Sequence, residues 1–495
     1  MTNLASNLVS TAAGAPERPA IILNDTRLSY AELDAATARM AGYLVAQGIG
    51  PGDRVAVMLP NVPAFPVIYY GVLRMGGVVV PMNPLFKVRE IEYYLSDSGA
   101  TMIFGMPGEA QTAAEAAGVR FVPVEGADTI AMAGIVGSAD PIAEVAEVTD
   151  DDTAVILYTS GTTGHPKGAE LTHANLNSNQ DVSARTLFNL TENDVVMGCL
   201  PLFHVFGMTC GLNTVVATGA SLTLIPRFDA DAALDVIARD RVTVFQGVPT
   251  FYMAMLNKAA GRDPDLSSLR LAVAGGSSLP VEVLHQFEKT FDCMILEGYG
   301  LSETSPVASF NHPDAERKPG SIGFAIEGVE MAVVDESGVE VPTGEMGEIV
   351  IRGQNIMRGY WNQPEATAEA IRDGWFHSGD LARRDSDGYF YIVDRIKDMI
   401  LRGGLNVYPR EVEEVLYEHP AIAEAAVVGV PHDTMGEEVA AFVVLAPDKS
   451  ADPAEISQFV KDRLAGYKYP RQVIVVESLP KTASGKILKR ELHSG

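Results

Sequence analysis

The stretch Tyr158-Thr159-Ser160-Gly161-Thr162-Thr163-Gly164-His165-Pro166-Lys167-Gly168 gathers glycines, hydroxyls and one lysine directly after an apolar run, Thr153 to Leu157, that reads as a strand. Glycines let backbone N–H groups converge on oxygens, hydroxyls donate further hydrogen bonds, and an ammonium supplies mobile positive charge. That composition suits a phosphate. The spacing is not that of an ATPase P-loop, because Pro166 precedes the lysine and Gly168 stands where Ser or Thr would follow. A flexible surface linker is the competing reading, but linkers seldom leave a buried strand and close on Pro-Lys-Gly.

Further stretches carry groups that a nucleotide needs. In Gly298-Tyr299-Gly300-Leu301-Ser302-Glu303-Thr304, an aromatic face offers a base a stacking platform and a glutamate offers Mg²⁺ a hard oxygen ligand. In Trp375-Phe376-His377-Ser378-Gly379-Asp380-Leu381, the carboxylate is a natural bidentate acceptor for a cis-diol, although an isolated Asp380 reads equally as a surface turn. Tyr391-Ile392-Val393-Asp394-Arg395 adds a cation. Ala274-Gly275-Gly276-Ser277-Ser278-Leu279-Pro280, taken alone, is a glycine turn before a helix. Near the C-terminus, Pro480-Lys481-Thr482-Ala483-Ser484-Gly485-Lys486-Ile487-Leu488 is a basic tail, and Lys481 and Lys489 read as solvated.

Together these stretches resemble the adenylate-forming superfamily, which includes acyl-CoA synthetases, luciferases and the adenylation domains of peptide synthetases. The likeness runs through the chain in order and with normal spacing. It implies ATP, Mg²⁺ and coenzyme A as ligands. Thr159, Ser160, Gly161, Thr162, Thr163, Gly164 and Lys167 would cradle the phosphates. Gly275, Gly276, Ser277, Glu297, Gly298, Tyr299, Gly300, Ser302, Asp380, Ile392 and Arg395 would hold the nucleotide, with Tyr299 on adenine and Asp380 on the ribose hydroxyls. Glu303, with Thr159, would bind Mg²⁺.

Lys486 matches the family lysine that reaches the substrate carboxylate and the α-phosphate, where a positioned cation stabilises the transition state more than the ground state. With Lys167 and Glu303 it completes the catalytic set. His204, in Pro201-Leu202-Phe203-His204-Val205-Phe206-Gly207, reads alone as a core histidine; by resemblance it gates the carboxylate pocket, while His165 is only a loop residue. Thr250 and Gly300 would also face the acid. Lys397 matches the family hinge, about which a small domain would swing to withdraw Lys486 and present Gly403, Gly404 and Leu405 to the pantetheine arm.

The elements that must position these groups are legible as alternation. Pro19 to Asn24 reads as a strand. A helix then opens at Ser29, with Glu32 completing a capping box, and runs to about Gly48. Strands at Arg54 to Leu59, Gly77 to Pro81 and Thr101 to Phe104 alternate with helices Pro63 to Met75 and Val88 to Ser98, the signature of a helix-covered parallel sheet. Pro107 to Asp151, rich in Ala and Gly, reads as a surface excursion. A helix holding His173 and Asn175 follows the phosphate loop. A second αβ series runs from Ser221 to Ala274, and Gly328 to Arg352 turns β-rich. From Ile400 the chain forms a small α/β unit. The expected fold is therefore α/β: a large N-terminal domain of helix-covered sheets with a β-rich subdomain, residues 1–396, and a small mobile α/β C-terminal domain, residues 397–495.

With 495 residues the chain exceeds a single core, and its formal charge of −27 opposes binding to nucleic-acid backbones. Anionic ligands must then be held by local cations. Cys199, Cys210 and Cys293 sit in apolar contexts without metal-ligand spacing, as buried thiols of a cytoplasmic protein do. Met1 to Pro16 lacks a signal-peptide pattern, and no run reaches the ~18 apolar residues of a membrane span. The oligomeric state stays open, a homodimer included.

Within the superfamily the chain looks most like bacterial medium- or long-chain fatty-acid CoA ligases. The absence of a carrier domain after Leu492 disfavours a peptide synthetase. Val248-Pro249-Thr250-Phe251-Tyr252 resembles malonyl-CoA synthetases, but those place an arginine where Gly298 stands, and a second substrate carboxylate buried without a partner is costly. The expected pocket, from His204 to Asn213, Val248 to Met255, Gly275 to Ser278 and Gly300 to Val307, is apolar. Rival readings are a coumarate-type aryl-CoA ligase, a malonyl-type ligase, a luciferase-like oxygenase and a catalytically silent nucleotide- or acyl-binding relative.

Overall fold

A computed structural model describes residues 3–126, 137, 139–159, 166–262, 264–447 and 449–492. The candidate phosphate-loop residues Ser160, Gly161, Thr162, Thr163 and Gly164 lie outside the described residues. The architecture is mixed α/β, with a large N-terminal domain and a small C-terminal one.

Two helix-covered sheets build most of the large domain. In the first, strands Arg54–Met58, Val78–Pro81, Met102–Gly105, Arg120–Pro123 and Thr153–Thr159 run parallel, and Lys167–Thr172 and Gly359–Tyr360 close one edge antiparallel. The second has nine strands, with a parallel centre made by Val195–Gly198, Ser221–Leu224, Val244–Gly247, Leu271–Ala274 and Met294–Gly300. The runs read as strands from their β-branched and apolar residues are buried on both faces, as parallel strands under helices must be.

Helix Ala64–Arg74 is buried along its whole length, and one large core cluster takes in residues of both sheets. It crosses helix Tyr30–Ala46 at Gly71, where a Cβ would lie 2.3 Å from Met40 Cγ, so only glycine permits this approach. Helix Tyr30–Ala46 starts with the expected capping box between Ser29 and Glu32.

Two stretches differ from expectation. Pro107 to Asp151 is not simply an excursion: Glu109–Ala117 is a helix, and Arg120–Pro123 is an edge strand paired with Met102–Gly105. Ala110, Ala113 and Ala114 bury the helix against the sheet, and alanine gives little hydrophobic periodicity to read. The phosphate loop does not lead straight into a helix either. Strand Lys167–Thr172 pairs back along Thr153–Thr159, and helix His173–Val182 begins only then, capped by Thr172.

A third, antiparallel sheet follows: Val329–Val334, Met346–Gly353, Trp375–Arg384, Ile371–Arg372 and Phe390–Arg395. The C-terminal unit is a sheet of Ile400–Arg402, Leu405–Val407, Ile422–His432, Gly436–Leu445 and Gln472–Val475, packed by helices Pro409–Tyr417 and Pro453–Lys461. Among the described residues, no helix is long and apolar enough to cross a membrane.

Candidate active site

The carboxyl ends of parallel strands are where α/β sheets leave a crevice for ligands. Strand Thr153–Thr159 delivers Thr159 there, opposite Lys167 in register. Thr159 Oγ1 donates to Glu303 Oε1 at 3.2 Å, and the Tyr360 hydroxyl donates to the same oxygen at 3.0 Å. The Lys167 ammonium lies 5.1 Å from the centre of the Tyr360 ring. Glu303 is buried on the short turn Ser302–Thr304, anchored where its carbonyl accepts the Met357 N–H. One carboxylate beside a hydroxyl fits a Mg²⁺ whose remaining ligands are phosphate oxygens and water. Among the described residues no group of three or more His, Cys, Asp or Glu gathers as a metal cage, so such an ion would arrive with the phosphates.

Strand Met294–Gly300 brings Gly298, Tyr299 and Gly300 to the cleft, with Ser302 beside them. The Tyr299 hydroxyl donates to Asp380 Oδ2 at 2.6 Å, and Arg395 Nε lies 3.1 Å from Asp380 Oδ1. Burial raises the Asp380 carboxyl above its ordinary range, opposed by Arg395 and then by Tyr299. Asp380 sits in strand Trp375–Arg384, where the pairing with Met346–Gly353 shifts register. Glu348 Oε1 accepts the Gly379 N–H at 2.9 Å, Glu348 Oε2 is 2.8 Å from His377 Nδ1, and the Asp380 N–H donates to Ser378 Oγ at 3.1 Å. Gly379 has φ +72°, which a side chain would strain.

Lys486 enters from the small domain. In its loop the Thr482 N–H donates to the Lys486 carbonyl at 2.8 Å, and the Lys486 N–H to Thr482 Oγ1 at 3.1 Å. Gly485 allows the tip to nest on helix Pro249–Ala259: its φ is +83°, and a Cβ would lie 2.8 Å from Thr250 Oγ1. The Lys486 side chain lines the same cleft as Asp380, Arg395, Glu303 and His204. Burial, then the Arg395 charge, push its ammonium down to about 8, against the pull of Asp380 and Glu303. Burial lowers the His204 imidazole to about 3, and Lys486 adds to that shift. His204 Nδ1 accepts the Phe206 N–H at 3.3 Å, which leaves the proton of the neutral ring on Nε2.

The cleft encloses about 950 Å³, and Phe203, Phe206, Pro306, Val307 and Phe310 give it an apolar side. Gly298 is pressed on Phe310, where a Cβ would lie 2.2 Å from the ring.

Several expected residues stand elsewhere. Glu297 turns its carboxyl out of the cleft, where Oε2 accepts the Gly320 N–H at 3.0 Å and burial pushes it up to about 8. Thr250 spends its hydroxyl on the Gly485 carbonyl at 3.0 Å, so it supports the Lys486 loop, and the stretch Val248 to Met255 does not line the cleft. Ile392 packs toward the core and Ser277 is exposed, whereas Gly275, buried against Phe206, and Gly276 both line the cleft as expected. Gly403, Gly404 and Leu405 form an exposed hairpin away from it.

The profile of the AMP-binding enzyme family matches residues 8–361, and that of the AMP-binding enzyme C-terminal domain matches residues 411–486. The chain belongs to the AMP-binding enzyme family. This is the adenylate-forming superfamily that its motifs resemble. A long-chain-fatty-acid CoA ligase of Bacillus subtilis is 38% identical, across 99% of this chain and 94% of that one. A feruloyl-CoA synthase of an Amycolatopsis species is 41% identical, across 98% and 97%. Among solved structures, ATP-bound MatB from Rhodopseudomonas palustris superposes with a TM-score of 0.89 at 34% identity, across 99% of this chain and 97% of that one.

In this AMP-binding enzyme the motif residues Thr159, Lys167, Glu303, Asp380, Arg395 and Lys486 converge from five separate stretches of sequence. Sequence reasoning missed Tyr360, Glu348 and Phe310. Tyr360 had a signal in the aromatic pair Tyr360-Trp361 after Gly359, but Glu348 sits in an ordinary strand pattern and offered none.

Proposed function

We propose that the protein is an ATP-dependent acid–CoA ligase that activates a fatty carboxylic acid. The observation that carries this reading is the convergence of the Lys486 ammonium, the Asp380–Arg395 pair and Glu303 on one cleft with an apolar side. A substrate carboxylate oxygen attacks the α-phosphorus of ATP, forming acyl-AMP as the bond to pyrophosphate breaks. The CoA thiolate then attacks the acyl carbon, and AMP leaves with the bridging oxygen. No side-chain nucleophile is needed; the protein supplies orientation and charge stabilisation.

Tyr299 offers its ring to adenine while its hydroxyl orients Asp380 for the ribose diol, with Arg395 alongside. Lys167 and Ser160 to Gly164 take the phosphates, and Glu303 and Thr159 would hold Mg²⁺, which would supply neutralising charge to the phosphates. Lys486 meets charge growing at the α-phosphate, and neutral His204 borders the incoming carboxylate without adding a competing charge. Residues 1–396 and 397–495 act as two bodies hinged near Lys397, and the hairpin at Gly403, Gly404 and Leu405 guides pantetheine once Lys486 withdraws. The buried, unpaired Cys199, Cys210 and Cys293 suit a cytoplasmic enzyme.

The choice of a fatty acid rests on the apolar lining and on the long-chain ligase relative. A diacid is disfavoured because a cation at position 298 would have to displace Phe310. An aryl acid is the second reading, favoured by the feruloyl-CoA synthase likeness and by Phe203, Phe206 and Phe310 along the cleft. The test is AMP and acyl-CoA release with Mg-ATP and CoA over acids from acetate to palmitate, with malonate and 4-coumarate alongside. Turnover peaking on a medium or long alkyl acid supports the proposal; a preference for 4-coumarate or malonate overturns its acid.

A further inference from the structure

Helix Pro409–Tyr417 of the small domain meets the large domain at Arg410. Its backbone N–H donates to Asp394 Oδ2 at 2.9 Å, Nη1 donates to the Ile392 carbonyl at 2.5 Å, and Nη2 donates to the Gly320 carbonyl at 3.4 Å. One turn on, Glu414 Oε1 lies 3.8 Å from Arg410 Nε, and its carboxylate takes the Val281 backbone N–H. The pair sits on one face of the helix, as i and i+4 residues do. It thereby grips the strand that carries Arg395, the loop at Gly320, and the first residue of helix Val281–Phe291.

Gly320 is held from both sides, because its N–H donates to Glu297 Oε2 at 3.0 Å while its carbonyl accepts from Arg410. Glu297 is the residue directly before Gly298 and Tyr299 of the nucleotide cleft. The neighbouring contacts between the domains are of another kind: Tyr417 packs on an apolar cluster, and Thr250 donates to the Gly485 carbonyl.

We propose that Arg410, with Glu414, is a positioning residue that seats the small domain in the orientation placing Lys486 in the cleft. It touches neither substrate nor reacting atoms. A guanidinium offers a planar fork of donors to two carbonyls at once, which fixes orientation as an apolar contact does not. The contact can also be broken. When the domain swings away, Arg410 and Glu414 leave as a pair and keep each other's charge company in water. On the large domain, burial pushes Glu297 toward its neutral form, and Asp394, which gives up the Arg410 N–H, keeps the Arg395 N–H on its other oxygen.

This inference rests on the proposed two-orientation ligase, and the half-reactions separate the two claims. The measurements are acyl-AMP formation from ATP and the preferred fatty acid, followed by pyrophosphate release, and conversion of supplied acyl-AMP to acyl-CoA. They are made on the wild-type chain, Arg410→Ala and Glu414→Gln. Arg410→Ala is expected to slow acyl-AMP formation about ten-fold, while the CoA step on supplied acyl-AMP stays within about two-fold of wild type. Glu414→Gln shows the same split, smaller. The retained CoA step reports that the variant is folded; should Arg410→Ala not fold, Arg410→Lys, which keeps the charge and loses the fork, must show the split. Equal loss in both half-reactions, or no loss in either, overturns the role of Arg410 while leaving the ligase reading intact. Wild type that forms no acyl-AMP overturns both.

Discussion

Lys486 and His204 face the same space with opposite electrostatic consequences. An ordinary lysine titrates near 10.4, whereas burial beside Arg395 brings Lys486 to about 8. Its ammonium is therefore present below that pH and lost above it. The kcat/KM for ATP in acyl-AMP formation is expected to fall as pH rises past about 8, whereas conversion of supplied acyl-AMP to acyl-CoA does not share this limb. His204, lowered to about 3, contributes no inflection near neutrality. A pH–rate comparison of the two half-reactions checks both statements. At the metal end, Tyr360 donates to Glu303 at 3.0 Å. Tyr360→Phe removes that bond and is expected to raise the Mg²⁺ concentration for half-activation about five-fold, with the unfolding midpoint little changed. The motif residues were legible because each stands in a contiguous signature. Their mutual contacts were not: Tyr299 reads as a stacking ring, and only the fold reveals its hydroxyl on Asp380. Glu297 misled because adjacency in sequence to Tyr299 says nothing of the Gly320 N–H that draws its carboxyl away.

Asp380 depends on the irregular stretch of strand Trp375–Arg384 that carries it. Glu348, from strand Met346–Gly353, fastens both the Gly379 N–H and His377, so it orients Asp380 without lining up with any motif. Glu348→Gln keeps an acceptor for one of these bonds and loses the charge. The expected result is a KM for ATP raised about five-fold with kcat nearly unchanged, measured in steady state; a pure kcat loss would place Glu348 in the chemistry instead. At this scale the parallel strands of both main sheets were readable from apolar runs bounded by helices. Two elements were not. Helix Glu109–Ala117 buries alanines, whose contribution to periodicity is slight, and strand Lys167–Thr172 mixes Lys, Glu and Thr with two apolar residues. The latter is a strand because it has partners on both sides, Thr153–Thr159 and Gly359–Tyr360, which is tertiary information.

Across the whole molecule the two domains share one cleft while only one of their two candidate surfaces faces it. Lys486 is inside, and the hairpin with Gly403, Gly404 and Leu405 is outside. Under the proposed mechanism this arrangement suits attack on the α-phosphate, and the CoA step would call for rotation near Lys397. Lys397→Pro restricts the backbone there. It is expected to leave acyl-AMP formation within about three-fold and slow acyl-CoA formation about a hundred-fold; equal effects on both steps would argue against a hinge at this residue. Composition and length indicated more than one domain, but the orientation could not be read from sequence, because it depends on contacts such as those of Arg410 and Thr250 across the interface. The most direct test of the central claim follows one oxygen. With a fatty acid labelled with ¹⁸O in both carboxyl positions, Mg-ATP and CoA, the account predicts that AMP recovered after turnover carries a single ¹⁸O, delivered by carboxylate attack on the α-phosphorus. Unlabelled AMP formed alongside acyl-CoA would contradict it.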